Sequence, residues 1–165
     1  MKRLTLVRHA KSDVGLDGQP DWDRPLNRRG QRDAPEMAQR LRHERLKPDL
    51  VLSSPAVRAL TTATIMAREL KVPASAVGQD ERLYLASPAV LLEVVRDLGG
   101  HTPHLMVIGH NPGITDFANA LSSGDRIDNM PTCAVFTALF DLDDWGRLEF
   151  GTGRDAEFDY PKRVG

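Results

Sequence analysis

Three short runs of apolar and β-branched residues, LTLV (4–7), LVL (50–52) and LMVI (105–108), do most to limit what this chain can fold into. Each is followed by a segment whose apolar residues recur with the period of a helix, about 3.6 residues. After the first run, Ala34, Met37, Ala38 and Leu41 fall at i, i+3, i+4 and i+7. After the second come Val57, Leu60, Ala63, Ala67 and Leu70, and after the third Ile114, Phe117, Ala118 and Leu121. One more helix is expected over residues 88–98, with Gly99-Gly100 as its stop. Parallel neighbours need a crossover, and crossover helices cover both faces of a sheet. The pattern therefore predicts a three-layer α/β/α sandwich around a mostly parallel sheet. Two late runs, 134–142 and 147–152, flank the turn Asp143-Asp144-Trp145-Gly146 and are expected to form an antiparallel hairpin at the edge.

Local signals refine these units. Asn27 is placed to cap the first helix, and Pro35 predicts a kink or a late start there. Ser54-Pro55 and Asn111-Pro112 both read as a cap followed by proline at the first helical position. Residues 13–25, rich in Gly, Asp and Pro, read as a loop. At 165 residues the expectation is a single domain spanning 1–165. The 22 Lys and Arg balance 23 Asp and Glu, which argues against nucleic acid or a polybasic membrane contact. No apolar run approaches the roughly 20 residues of a spanning helix, and the N-terminal one is too short for a signal peptide. One cysteine, Cys133, allows no internal disulfide and no cysteine metal cluster. A cytoplasmic protein is the expectation.

In sheets of this kind ligands sit beyond the carboxyl ends of the strands. The first predicted strand ends in Arg8 and His9. The second ends in Ser53-Ser54-Pro55, with Arg58 in the next helical turn, and the third in Gly109, His110 and Asn111. Two arginines, two histidines and two helix starts converge if the sheet is parallel. Arginine matches phosphate oxygens with paired donors, and free amides at a helix start add more. Gly109 is expected to leave room for close backbone approach. The histidines lack the spacing of a zinc site, and no GxxxxGK[ST] or GxGxxG loop occurs. The expectation is a phosphate site that needs no metal and no cofactor. A histidine among cations should stay neutral, and neutral imidazole can attack phosphorus.

The motifs themselves, LVRHAKS, SSPAVRALTTA and VIGHNPG, resemble in this order those of the histidine phosphatase superfamily, in its phosphoglycerate mutase-like branch. Over residues 4–113 the chain looks most like the short phosphohistidine phosphatases of the SixA type, with DWDRPLNRRGQRDA and HNPGI in support. The resemblance implies a phosphoglycerate mutase-like fold. It implies that His9 is the nucleophile, that Arg8, Arg58 and His110 complete the phosphate pocket, and that the Asn111 amide is a further donor. Ala10 stands where glycine is usual. Mutases and many phosphomonoesterases of this branch carry a glutamate shortly after an Arg-Leu pair; here the corresponding residue is Leu85. An alkoxide leaving group needs a proton donor, whereas the imidazole of phosphohistidine can leave already protonated. The expected partner is therefore a phosphohistidine-bearing protein. The alternatives are a small phosphorylated metabolite as substrate, or a non-catalytic phosphoprotein-binding domain. Asp13, Asp17, Asp21, Asp23, Asp80 and Glu81 are the loop residues able to supply an acid instead.

The remaining notable residues read as structural. His43, His101 and His104 are expected to be solvated, Cys133 and Trp145 to pack, and Trp22 to pack rather than line the substrate mouth. Lys11 and Ser12 read as solvated loop residues. Asp23-Arg24 reads as an ion pair that steadies the loop, and the Arg28–Arg32 cluster as helix surface.

Overall fold

A computed structural model of the chain, describing residues 1–162, contains six strands and four helices. In chain order they are β1 (Lys2–Arg8), α1 (Arg28–His43), β2 (Leu50–Ser53), α2 (Val57–Glu69), β3 (Val77–Gln79), α3 (Pro88–Leu98), β4 (His104–Gly109), α4 (Gly113–Leu121), β5 (Val135–Phe140) and β6 (Arg154–Asp159). The strands form one sheet in the order β3-β2-β4-β1-β5-β6. The first four are mutually parallel, and β5 runs antiparallel to both β1 and β6. The expected sandwich with an antiparallel edge is what forms.

Alternation along each strand divides the core in two. Val7, Val51, Met106, Ile108 and Val135 pack under α1 and α2. Leu4, Leu6, Leu52, Leu105, Val107 and Phe136 pack under α3 and α4 on the other face. The chain thus leaves β1 and β2 toward one face and β4, which lies between them, toward the other. Divergent exits of this kind open a crevice at the carboxyl ends of the strands.

Several boundaries differ from the sequence expectation, each for a physical reason. The short β3 carries one apolar residue, too few to show a period. The partner of β5 is Arg154–Asp159, not residues 147–152, and Trp145–Arg147 form a 3-10 turn. β6 is an edge strand with four of its six residues exposed, and its one apolar face carries only Ala156 and Phe158. Pro35 lies inside α1, and the helix runs through it. The carbonyl its missing N–H forgoes belongs to Gln31, on the solvent-exposed face of the helix. Asn27 does cap α1, its side chain accepting from the Gly30 N–H at 2.9 Å. Trp145 is fully buried, as expected, and its indole N–H donates to the Thr102 carbonyl at 2.7 Å.

His104 is not solvated. It opens β4 at 8% exposure, with Nε2 2.7 Å from Thr5 Oγ1. The period-2 rule places it on the same face as Met106 and Ile108, under α1 and α2. His43 and His101 are exposed, as expected.

Candidate active site

The crevice at the carboxyl ends of β1, β2 and β4 is a cavity of about 320 Å³ lined by Arg8, His9, Arg58, His110 and Asn111, among others. All five expected site residues therefore meet in one place. A larger hollow of about 1430 Å³, between α1, β6 and residues 122–129, contains none of them.

His9 is fixed from three sides. Its N–H donates to the Gly109 carbonyl of β4 at 3.1 Å, and its own carbonyl accepts from the Cys133 N–H at 3.0 Å. The next amide, Ala10, donates to Thr62 Oγ1 of α2 at 2.9 Å. Its ring Nδ1 lies 2.8 Å from the Ala10 carbonyl. A carbonyl only accepts, so the neutral ring carries its hydrogen on Nδ1 and leaves a lone pair on Nε2. Burial, reinforced by Arg58, Arg8 and Arg24, lowers the His9 pKa to about 4, so the ring is neutral at pH 7.

His110 stands 5.2 Å from His9 between ring centroids. Burial first, then His9 and Arg58, lower its pKa to about 3. Its Nε2 is 2.8 Å from Ser54 Oγ, and its Nδ1 is buried with no partner among the described residues. Ser54 Oγ also accepts the Ala56 N–H at 3.2 Å. A Ser54 O–H donated to Nε2 leaves the His110 hydrogen on Nδ1, where it can meet a ligand oxygen.

These bonds correct two expectations. Ser54 does not cap α2: the helix begins at Val57, and Ser54 spends its hydroxyl on His110 and on a tight turn. Nor does Asn111 cap α4, which begins at Gly113. The Asn111 side chain donates instead to Asn129 Oδ1 and the Met130 carbonyl, at 2.9 and 3.0 Å, and accepts from Thr115 Oγ1 at 2.6 Å. The Gly109 expectation also changes. A Cβ there would meet Ile114 Cδ1 at 3.3 Å, so its small size serves the seating of α4 on β4.

The arginines are held by different means. Arg8 donates from Nη1 to the Met130 carbonyl at 3.0 Å, and its Nε is buried without a partner among the described residues. Arg58, 3% exposed, donates from Nη1 to the Asp21 carbonyl at 2.7 Å and from Nη2 to the Asp21 carboxylate at 2.9 Å. Asp21 also accepts from Arg24 at 2.9 Å and from the Tyr84 hydroxyl. It is therefore Asp21, not Asp23, that pairs with Arg24. The Tyr84 hydroxyl foremost, with Arg24 and Arg58, holds the Asp21 carboxyl far below the ordinary carboxylate range. Tyr84 in turn packs edge-on against His110 at 5.4 Å and beneath Trp22 at 4.8 Å.

Sequence reasoning did not find Tyr84, Thr62 or Ser54 as positioning groups, nor Asp21 as the partner of Arg58. One signal was present. Asp21 and Trp22 sit in DWDRPL, a stretch quoted for its resemblance alone.

Three buried histidines make stability fall with acid. His9, His104 and His110 have pKa values near 4, 4 and 3, against about 6.5 in an unfolded chain. The unfolded state therefore binds more protons below about pH 6.5. Stability is fully present above that pH and is lost as pH falls toward 4, by up to about 1.4 kcal/mol per pH unit for each histidine. Urea unfolding between pH 7.5 and 4.5 should show this decline. A flat profile would contradict the buried, neutral assignment.

The match to known proteins agrees with this geometry. The family model of the histidine phosphatase superfamily (branch 1) matches residues 4–84. An uncharacterized protein of Mycobacterium tuberculosis is 33% identical over 165 residues, covering 94% of this chain and 100% of that protein. The structure of a protein assigned as the phosphohistidine phosphatase SixA of Agrobacterium tumefaciens superposes with a TM-score of 0.77 at 26% identity, over 84% of this chain and 92% of that one. A mycobacterial glucosyl-3-phosphoglycerate phosphatase shares the fold, with a TM-score of 0.69 at 18% identity over 97% and 98% of the two chains. With its β1, β2 and β4 ends gathered into one cationic cavity, the chain belongs to the histidine phosphatase superfamily, branch 1.

Proposed function

We propose that this phosphatase acts through a phosphorylated His9 and that its substrates are proteins carrying phosphohistidine. The observation that carries the substrate class is the state of Asp21. It is the only carboxylate lining the cavity among the described residues, and it is bound to two arginines and a tyrosine. A carboxylate held so far below its usual pKa has no proton to give. Neither histidine supplies one, because both are neutral at pH 7. Leu85, the residue at the position where the wider family carries an acid, lines the cavity with an apolar side chain.

The chemistry then follows from what each group can do. The Nε2 lone pair of His9 attacks phosphorus, one P–N bond forms and the substrate P–N bond breaks. The departing imidazole already holds a proton on its other nitrogen, so it leaves neutral without an acid. Arg8, Arg58 and the Nδ1–H of His110 take the charge on the three phosphoryl oxygens, with the Asn111 amide as a further donor. Water then attacks phospho-His9. Its P–Nε2 bond breaks, the imidazole keeps the Nδ1 hydrogen that faces Ala10, and the water proton goes to the released phosphate. Four cationic side chains facing one carboxylate favour an anion over a metal ion as occupant. The match to the Agrobacterium protein at 26% identity supports the same substrate class.

A substrate series at fixed pH tests the reading. Phosphohistidine peptides should be turned over fastest, aryl phosphates more slowly, and alkyl phosphates about 100-fold or more below the peptides, the usual worth of a missing general acid. Alkyl or sugar phosphates hydrolysed as fast as phosphohistidine would replace this reading with a metabolite phosphatase. Failure to trap any phosphoenzyme with every substrate would point to a binding domain.

A further inference from the structure

Among the described residues, Lys11 is the one cation of the cavity whose charged group makes neither a hydrogen bond nor an ion pair. Arg58 gives both Nη groups to Asp21. Arg24 gives its three nitrogens to Asp21, the Asp13 carbonyl and Ser12 Oγ. Arg8 gives Nη1 to the Met130 carbonyl. Lys11 lines the same cavity, yet among the described residues its ammonium has no ion pair and no hydrogen bond. A solvated surface lysine is ordinary. Two observations set this one apart.

The first is its anchorage. The Lys11 carbonyl accepts from the Asn27 N–H at 3.0 Å. Gly30 approaches so closely that a Cβ there would stand 2.1 Å from that carbonyl oxygen. The lysine stem therefore starts from a fixed point at the cavity, although it follows a loop. The second is charge. Four cations face one carboxylate, and a bound phosphoryl dianion would cancel two of the three surplus positive charges. The remaining one falls to the exposed cation, Lys11.

We infer that Lys11 forms an outer anion subsite that recognises a carboxylate, from Asp or Glu, beside the phosphorylated residue of the substrate. The inference rests on the phosphoryl-transfer reading of the cavity given above. A compact ammonium on a flexible stem suits a carboxylate whose position varies with the peptide, where a planar guanidinium would demand one geometry. Lysine in this place makes the subsite a determinant of which phosphoprotein is chosen rather than of how fast phosphorus is attacked.

Two phosphohistidine peptides differing only by Glu or Gln next to the phosphorylated residue test this. At low salt the native enzyme should favour the Glu peptide in kcat/KM by about fivefold, the size of one solvent-facing ion pair. In Lys11→Met the ratio should fall to about one, and in Lys11→Glu it should invert. Raising the ionic strength should compress the native ratio. A native ratio of one, or a preference that survives Lys11→Met, overturns the subsite. If neither peptide is turned over, the phosphohistidine reading fails instead. The ratio is then read with phenyl phosphate and its ring-carboxylated analogue, where loss of a carboxylate preference in Lys11→Met upholds the subsite and no such loss removes it.

Discussion

Replacing His9 by Ala should lower kcat by about 10,000-fold or more and abolish the acid-labile phosphoenzyme with it. The size of the effect follows from the geometry. No second nitrogen nucleophile replaces Nε2: the His110 ring is turned so that Nε2 meets Ser54. The variant should still bind phosphate, because Arg8, Arg58 and His110 do not depend on the His9 side chain for their contacts. It should also fold, since the hydrogen bonds that fix this turn run through the backbone of residues 8–10. Radiolabelled phosphohistidine substrate, quenched in base and in acid, separates the outcomes. Robust turnover by His9→Ala would rule out the covalent mechanism.

Arg58→Ala should cost about 1,000-fold in kcat/KM, the range for an arginine that meets transition-state charge in phosphoryl transfer. Arg58 is 3% exposed and reaches the cavity from the second residue of α2. Its two Nη groups are anchored on Asp21, and Asp21 is anchored in turn by Tyr84 and Arg24. Arg58→Lys should rescue only a small part of the loss, because an ammonium cannot hold Asp21 and span two phosphoryl oxygens at once. The informative readout is the split between parameters. Inhibition by orthovanadate, which resembles the transition state, should weaken more than inhibition by phosphate. Equal weakening would assign Arg58 to ground-state binding alone.

The parts of this site that could be read from sequence are those at the ends of apolar strands. Arg8, His9 and His110 each follow a run whose period and composition mark it as core, so topology alone brings them together. Arg58 was legible because it lies in the first turn of the helix that follows β2. What holds these groups in place was not legible. Asp21 is one of four aspartates between residues 13 and 23, and nothing in composition distinguishes the one that reaches Arg58. Tyr84 lies between a 3-10 turn and an exposed leucine, where no period exists to orient it. Ser54 and Asn111 were read as helix caps because caps and side-chain anchors use the same residue types at strand ends. His104 was misplaced because a polar residue type outweighed its position at the head of an apolar run. β6 escaped notice for the opposite reason: on this edge strand Ala156 and Phe158 are the only apolar residues, too few to mark a run.

The segment 129–133 gives the site a timetable. Met130 holds Arg8 through its carbonyl, Asn129 and Met130 hold Asn111, and Cys133 donates to both the Arg8 and His9 carbonyls. His9 is thus made more than a hundred residues before the groups of segment 129–133 that fix it. At about 5–20 residues per second, several seconds separate the two. During that interval a growing chain displays His9 and Arg8 without the clasp that aligns them. Phosphatase activity should therefore switch on late and all at once, as β5 zips onto β1. An unfinished chain is then without phosphatase activity.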